Sequence, residues 1–275
     1  MDLGLKQQTA LVTGASQGIG RAIAIALARE GCHLHLAARN PEALAALAQE
    51  LTQAHGVAVH THALDLSQPG VADQLAADCG PIDILVNNAG NTPRGTLFEV
   101  DEATWRQGWE LKIFGYINLT RAVYREMFKR QRGVIVNVIG IGAEKLEYAY
   151  AAGSMGNAAL VALTKTLGSV SLDHGVRILG VSPGWVETEK AKRTLKRRAT
   201  QELGDENRWR ELTAHFPRGH LIQPDEIADV VTFACSPKAR LMATVSARSP
   251  KGVEVPCALT CLMSLGCSWA SSKAK

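Results

Sequence analysis

One stretch near the N-terminus constrains the fold more than any other: Thr9-Ala10-Leu11-Val12-Thr13-Gly14-Ala15-Ser16-Gln17-Gly18-Ile19-Gly20-Arg21. It opens with residues of strand character and turns through glycines at 14, 18 and 20. It then passes directly into a helical pattern carried by Ala22, Ile23, Ile25, Ala26 and Leu27. Strand, glycine turn and helix in that order build a phosphate cradle. Backbone N–H groups at a helix start point at an anion, and glycine lets the backbone come close to it. The G-x-x-x-G-x-G spacing differs from the G-x-G-x-x-G fingerprint, so the reading as a dinucleotide site leans on the strand–turn–helix context.

The rest of the chain repeats that alternation. Strands are predicted at 33–38, 57–63, 82–86, 133–139 and 176–182, with helices at 40–55, 68–79, 101–130 and 150–173 between them. Asn40-Pro41-Glu42 is a helix start in miniature: a capping side chain, proline at the first helical position and a carboxylate in the first turn. Several strands are continuously apolar, as expected of a parallel sheet covered on both faces. Right-handed crossovers then give an α/β, Rossmann-type doubly wound parallel sheet, with ligands at the carboxyl ends of its strands. No linker or internal repeat divides residues 1–240, which read as a single domain; 241–275 read as an atypical, poorly ordered tail.

Composition narrows the class. The chain of 275 residues is 46% hydrophobic and 20% charged, and its formal net charge of +4 is too small to imply nucleic acid. No apolar run is long enough to span a bilayer, and the N-terminus lacks a signal-peptide pattern. The six cysteines show no metal-site spacing with histidine and no reason to pair. A cytoplasmic chain with reduced thiols and no metal is therefore expected.

Several motifs stand in a fixed order: Thr13-Gly14-x-x-x-Gly18-x-Gly20, Asp65, Asn87-Asn88-Ala89-Gly90, a strand ending in Asn137, and Ser182-Pro183-Gly184-Trp185-Val186-Glu187-Thr188. Together they resemble the short-chain dehydrogenase/reductase family over roughly residues 7–240. The resemblance implies an oxidoreductase binding NADP or NAD. Gly14, Ser16, Gly18, Ile19 and Gly20 would surround the pyrophosphate. Asp65 would accept from the adenine amino group with Leu66 beside it, while Asn88, Ala89 and Gly90 would line the adenosine ribose. Pro183, Gly184 and Thr188 would position the nicotinamide. At the end of the second strand an acidic residue would select NAD. This chain has Ala37-Ala38-Arg39-Asn40. A guanidinium suits a 2′-phosphate, which favours NADP; the alternative is that Arg39 is a solvated surface residue and the cofactor is NAD.

The family's chemistry implies a serine, a tyrosine, a lysine four residues after the tyrosine, and an asparagine on the preceding long helix. Here those positions are Gly140, Gly153, Asn157 and Lys112. Both hydroxyls are glycine, and the asparagine and lysine have traded places. Two readings stand: Lys112 and Asn157 restore the same pair of groups from opposite helices, or the site has drifted. Tyr150, Tyr148 and Ser154 are the candidates for a replacement acid/base. Tyr150 lies one helical turn before Gly153 and would lean into the space that glycine vacates. An unperturbed phenol needs a nearby cation to act at neutral pH, and Lys112 is the candidate. Ser154 points about a quarter-turn away.

Lys190, Lys192, Arg193, Lys196, Arg197 and Arg198 form a basic cluster, either a site for an anionic substrate or a solvated helix face balanced by Glu202, Asp205 and Glu206. After Ser236-Pro237 the resemblance stops. The family's seventh strand is replaced by a Ser/Cys/Ala-rich tail, expected to leave the sheet edge uncovered and weaken a tetramer built through it. The sequence thus supports an NAD(P)-dependent oxidoreductase interconverting a carbonyl and an alcohol on a small molecule, assembled as a homo-dimer or homo-tetramer. The alternatives are a catalytically silent dinucleotide-binding sensor or subunit, and an enzyme whose substrate supplies the missing proton donor.

Overall fold

The computed structural model describes residues 1–214, 216, 219–240, 242, 245–246 and 260–261. Six parallel strands form one sheet in the order β3-β2-β1-β4-β5-β6. They are β1 (Thr9–Thr13), β2 (His33–Ala38), β3 (Val59–Ala63), β4 (Ile84–Asn87), β5 (Gly133–Val138) and β6 (Val176–Val181). The order reverses between β1 and β4, so the loops at their carboxyl ends part there and open a crevice.

Helices cover both faces. On one side α1 (Gly18–Arg29), α2 (Pro41–His55) and α8 (Pro224–Cys235) bury Ile23, Leu27, Leu44, Leu51 and Val231 against the sheet. On the other, α3 (Val71–Cys79) and α5 (Gly115–Arg130) bury Leu75, Leu119, Val123 and Met127, and α6 (Ala151–Ser171) lies alongside with Leu160. α4 (Glu102–Trp109) and α7 (Glu189–Leu203) complete the helices. Asn40 caps α2 as its sequence implied, its side-chain oxygen accepting from Ala43 N at 2.8 Å.

The expected elements are present, with three differences of physical interest. The single helix predicted over 101–130 is interrupted by a π-helical turn, Glu110–Phe114, between α4 and α5. α3 starts at Val71, because Pro69 and a left-handed Gly70 (φ 79°) delay it. Arg177, which reads as an ordinary charged residue within a strand, is buried. Its guanidinium donates to the carbonyls of Ala234, Cys235, Ser236 and Ala239 at 2.8–3.3 Å, closing the otherwise open C-terminal end of α8.

The tail expected over 241–275 lies almost wholly outside the described residues. Within it, β7 (Val245–Ser246) and β8 (Thr260–Cys261) pair antiparallel with each other, separately from the six-stranded sheet. No described helix is long and apolar enough to cross a membrane.

Candidate functional site

The crevice at the switch point is a cleft of ≈ 610 Å³. Thr13 at the end of β1 fixes its floor. Its hydroxyl accepts from Asn88 N at 2.9 Å and Ala89 N at 3.0 Å, while Asn88 Nδ2 donates back to Thr13 O at 3.0 Å. The glycine loop and the turn after β4 are thereby held together. Gly14, Ser16, Gly18 and Ile19 line the cleft, but Gly20 does not. A Cβ there would collide with Gly14 O and lie 2.5 Å from Asn88 Nδ2, so Gly20 permits the close packing of the loop and does not itself face the cavity.

The fit to a dinucleotide rests on these features. α1 begins at Gly18 with no side-chain cap and no acidic residue in its first turn, leaving its N–H donors and positive end turned to the cleft. Arg39, Asp65 and Leu66 line one end of the cleft, and Pro183, Gly184 and Thr188 line the other, with Asn88, Ala89 and Gly90 between. Arg39 pairs with no carboxylate among the described residues, and the strand end beside it, Ala37-Ala38, carries none. Asp65 Oδ1 accepts from Ser67 N and Oγ at 3.0 and 2.8 Å, which fixes the carboxylate in a turn. Thr188 caps α7 through Ala191 N at 3.2 Å, and its methyl is 3.1 Å from a Cβ built on Gly18.

Tyr150, Lys112 and Asn157 also line the cleft; Ser154 does not. The Ser154 hydroxyl is buried without a hydrogen-bond partner among the described residues, Tyr148 is 73% exposed, and neither lines the cleft. The Tyr150 ring fills the place of a side chain at 153: a Cβ built on Gly153 would fall against its Cζ and Cε atoms. Its hydroxyl is 2.8 Å from Thr92 Oγ1, itself buried, and Gly95 N donates to Ala149 O at 2.8 Å, so the 92–95 segment holds the tyrosine in place. The cation against its ring is Arg94, at 4.4 Å, which is in turn held by Glu147. Sequence reasoning missed Thr92 and Arg94; their position directly after Asn87-Asn88-Ala89-Gly90 was the available signal.

Lys112 occupies the middle of the π-helical turn, a form of backbone that recurs at functional sites because it re-aims a side chain. Its stem crosses Gly90, where a Cβ would overlap its Cδ. Its ammonium donates to Val138 O at 2.8 Å and to the Tyr116 hydroxyl at 2.9 Å, and the Tyr116 hydroxyl itself donates to Val138 O at 2.8 Å. The lysine is 8% exposed, and burial, followed by the charge of Lys190, pushes its pKa down to about 7. Burial raises the Tyr116 phenol well above its usual range. The Asn157 amide lies over the β5 loop, with Nδ2 3.2 Å from a Cβ built on Gly140. Gly140 has φ 123°, a conformation that side chains resist, so a serine there would be strained as well as crowded.

Beneath the cleft runs a buried polar chain. Asn87 Nδ2 donates to Thr120 Oγ1 at 3.0 Å and Asn137 Oδ1 at 2.9 Å, and Asn137 Nδ2 donates to Thr164 Oγ1 at 2.9 Å. It ties β4 and β5 to α5 and α6, the helices flanking Lys112 and Asn157. The basic cluster divides. Lys192, Lys196 and Arg198 pair with Glu187, Glu206 and Glu202 on the surface, while Lys190 and Arg193 line the cleft. Desolvation and the neighbouring Arg94 and Arg193 lower the Lys190 ammonium's pKa.

A parallel sheet with a switch-point cleft, a glycine cradle and an uncapped helix start defines a dinucleotide-binding fold, and residues 8–199 match the family model for short chain dehydrogenase. The chain belongs to the short-chain dehydrogenase/reductase family. It is 36% identical over 231 residues to gluconate 5-dehydrogenase of Gluconobacter oxydans, covering 82% of this chain and 87% of that one. It is 34% identical over 244 residues to a 3-oxoacyl-[acyl-carrier-protein] reductase of Vibrio cholerae, covering 86% and 93%. Among solved structures it is similar to L-sorbose reductase from Gluconobacter frateurii complexed with NADPH and L-sorbose, with a TM-score of 0.82 and 30% identity over 89% of this chain and 95% of that one. NAD+-bound xylitol dehydrogenase superposes with a TM-score of 0.80 at 25% identity, covering 87% and 96%.

Proposed function

We propose that this chain is an NADP-preferring oxidoreductase that interconverts a carbonyl and an alcohol on a small molecule in the cytoplasm. Tyr150 replaces the family's tyrosine, and Lys112 with Asn157 replaces the usual lysine–asparagine pair. The observation that carries this reading is the Tyr150 ring in the space vacated by Gly153, inside the cleft. A drifted site has no reason to refill that space with a second phenol. The cofactor would lie along the glycine loop, Asp65 and Asn88, and when bound it supplies or accepts the hydride.

Tyr150 Oη would hold the substrate oxygen and pass it a proton in reduction, or take one in oxidation. Thr92 Oγ1, at 2.8 Å, is placed to relay that proton between the phenol and water, and the Arg94 guanidinium over the ring holds the ring in position. Asn157 and the Lys112 amine would supply donors at the nicotinamide end. Arg39 supports NADP, because a 2′-phosphate would find a guanidinium with no carboxylate partner among the described residues where an acidic residue would select NAD. Related structures carry NADPH in one case and NAD+ in another, so the preference rests on Arg39 itself. A homo-dimer or homo-tetramer belongs to the same reading and is checked by sedimentation.

The test is turnover of a panel of ketones and alcohols, alongside NADPH binding followed by nicotinamide fluorescence. Tyr150→Phe is expected to lower kcat by roughly 10²–10⁴-fold with binding unchanged. Equal rates in the variant would remove Tyr150 from the chemistry. Tight NADPH binding by the wild type without turnover on any member of the panel would favour a silent binding protein.

A further inference from the structure

A second concentration of polar side chains lies away from the cleft, on the sheet face beneath α3. The β2–β3 register sets His35 beside His60 and Ala37 beside His62, and strand alternation sends all three histidines to the same side. His35 stacks on both others, with ring centroids 5.0 and 5.2 Å away. A sheet face under a helix ordinarily carries Val, Ile or Leu, since polar groups placed there lose hydration. Cys79, the last residue of α3, brings a buried free thiol to the same point. His35 Nδ1 is 2.9 Å from His62 Nε2, Cys79 Sγ is 3.7 Å from that same nitrogen, and the three donor atoms lie within 4.8 Å of one another.

We propose that His35, His62 and Cys79 form a binding site for a borderline-soft divalent transition ion, zinc above all, that clips the edge strand β3 to α3. Zn–N bonds of about 2.0 Å and a Zn–S bond of about 2.3 Å at tetrahedral angles require N–N and N–S edges of roughly 3.3 and 3.6 Å. The His62–Cys79 distance already matches, the His35–Cys79 pair lies within 4.8 Å, and the two imidazoles need to part by only a few tenths of an ångström. His35 Nδ1 and His62 Nε2 both face into the cluster, so each imidazole can present a ring-nitrogen lone pair to the ion. On binding, the Cys79 thiol loses its proton to solvent and the thiolate takes the ion, while each imidazole keeps the N–H on its other nitrogen. Asp78 adds negative charge beside both His62 and Cys79. A lone His–His hydrogen bond accounts for the short N–N distance but not for the convergent thiol.

The clip has a structural consequence. The tie joins His62 near the end of β3 to Cys79 at the far end of α3, and so closes the stretch of chain that contains Asp65 and Leu66 in the cleft wall. It would brace that wall from behind without touching the chemistry.

Cobalt(II) and zinc titrations of the full chain decide the matter, in a background where Cys257, Cys261 and Cys267 are serine so that tail thiols cannot contribute. The expected result is one equivalent of metal and a near-ultraviolet thiolate-to-cobalt band. A rise in melting temperature on the order of 5 °C is expected at a hundredfold excess of zinc over Kd. The band is lost in Cys79→Ser and weakened at least tenfold in His62→Gln, while NADPH still binds both variants. If either variant fails to fold, the cobalt spectrum of the background protein carries the test by itself, since among the described residues neither Cys32 nor Cys235 belongs to a metal-ligand cluster. No retained metal, a band that persists in Cys79→Ser, or a band that vanishes with the tail thiols alone would overturn the proposal.

Discussion

Lys112→Met is expected to stabilise the protein at acidic and neutral pH while abolishing turnover, and the size of the effect follows from the site. Burial lowers the lysine from its ordinary 10.5 to about 7. At about 1.4 kcal/mol per pH unit, holding it protonated in the fold costs roughly 4–5 kcal/mol. Below pH 7 the lysine is charged in both folded and unfolded states, and the cost is felt in full. Between pH 7 and 10.5 the unfolded chain binds the extra proton, so wild-type stability rises with pH, and above 10.5 the cost is gone. Methionine removes the titration but also two hydrogen bonds, to Val138 O and Tyr116 Oη, worth about 1 kcal/mol each. The Tyr116 hydroxyl still donates to Val138 O, so that carbonyl keeps a partner. The net expectation is a variant about 3 kcal/mol more stable at pH 6, with the advantage shrinking by roughly 2.5 kcal/mol by pH 9. Urea denaturation of both proteins from pH 6 to 9 reads this directly, because titrating groups that do not interact with Lys112 cancel in the difference and only Lys190 adds a correction. A difference independent of pH would refute a lysine destabilised by its burial.

Other expectations concern neighbouring parts of the site. Gly153→Ala should evict the Tyr150 ring, costing about 1–3 kcal/mol in thermal unfolding and most of the activity; adding Tyr150→Ala should restore the stability but not the activity, and additive effects would show the two positions to be independent. Arg39→Asp should reverse the preference for NADP over NAD, lowering its kcat/KM ratio by at least tenfold; an unchanged ratio would return Arg39 to the solvated surface. Asn137→Leu should destabilise by about 2–3 kcal/mol in urea, because it strips an acceptor from Asn87 and a donor from Thr164 in a dry interior; a loss under 0.5 kcal/mol would mean water replaces them.

The elements legible in the sequence were those that local rules decide. Glycine spacing, the Asn40-Pro41-Glu42 start and continuous apolar strands report on neighbours a few residues away, and the sheet with its switch-point cleft followed from them. The lining of the cleft was legible too, since Asp65, Asn88 and Thr188 each follow a recognisable strand end and each lines it. Even the move of Tyr150 into the space at 153 could be foreseen, because one helical turn separates them. The neighbour proposed for that phenol was misplaced. Lys112 lies against Val138 and Tyr116, and it is Arg94 that stacks on Tyr150.

What the chain determined by itself was therefore the alternation of strand and helix and the set of groups near the cleft. Tertiary structure decided which of those groups touch. The π-helical turn that aims Lys112 inward is invisible to a periodicity of 3.6. Arg177 became the cap of α8 only because β6 packs against that helix end. His35, His62 and Cys79 share no metal-ligand spacing, and a parallel register with a helix laid across it brought them together. Side-chain partnership of this kind depends on contacts between residues far apart in the chain, and only packing creates them.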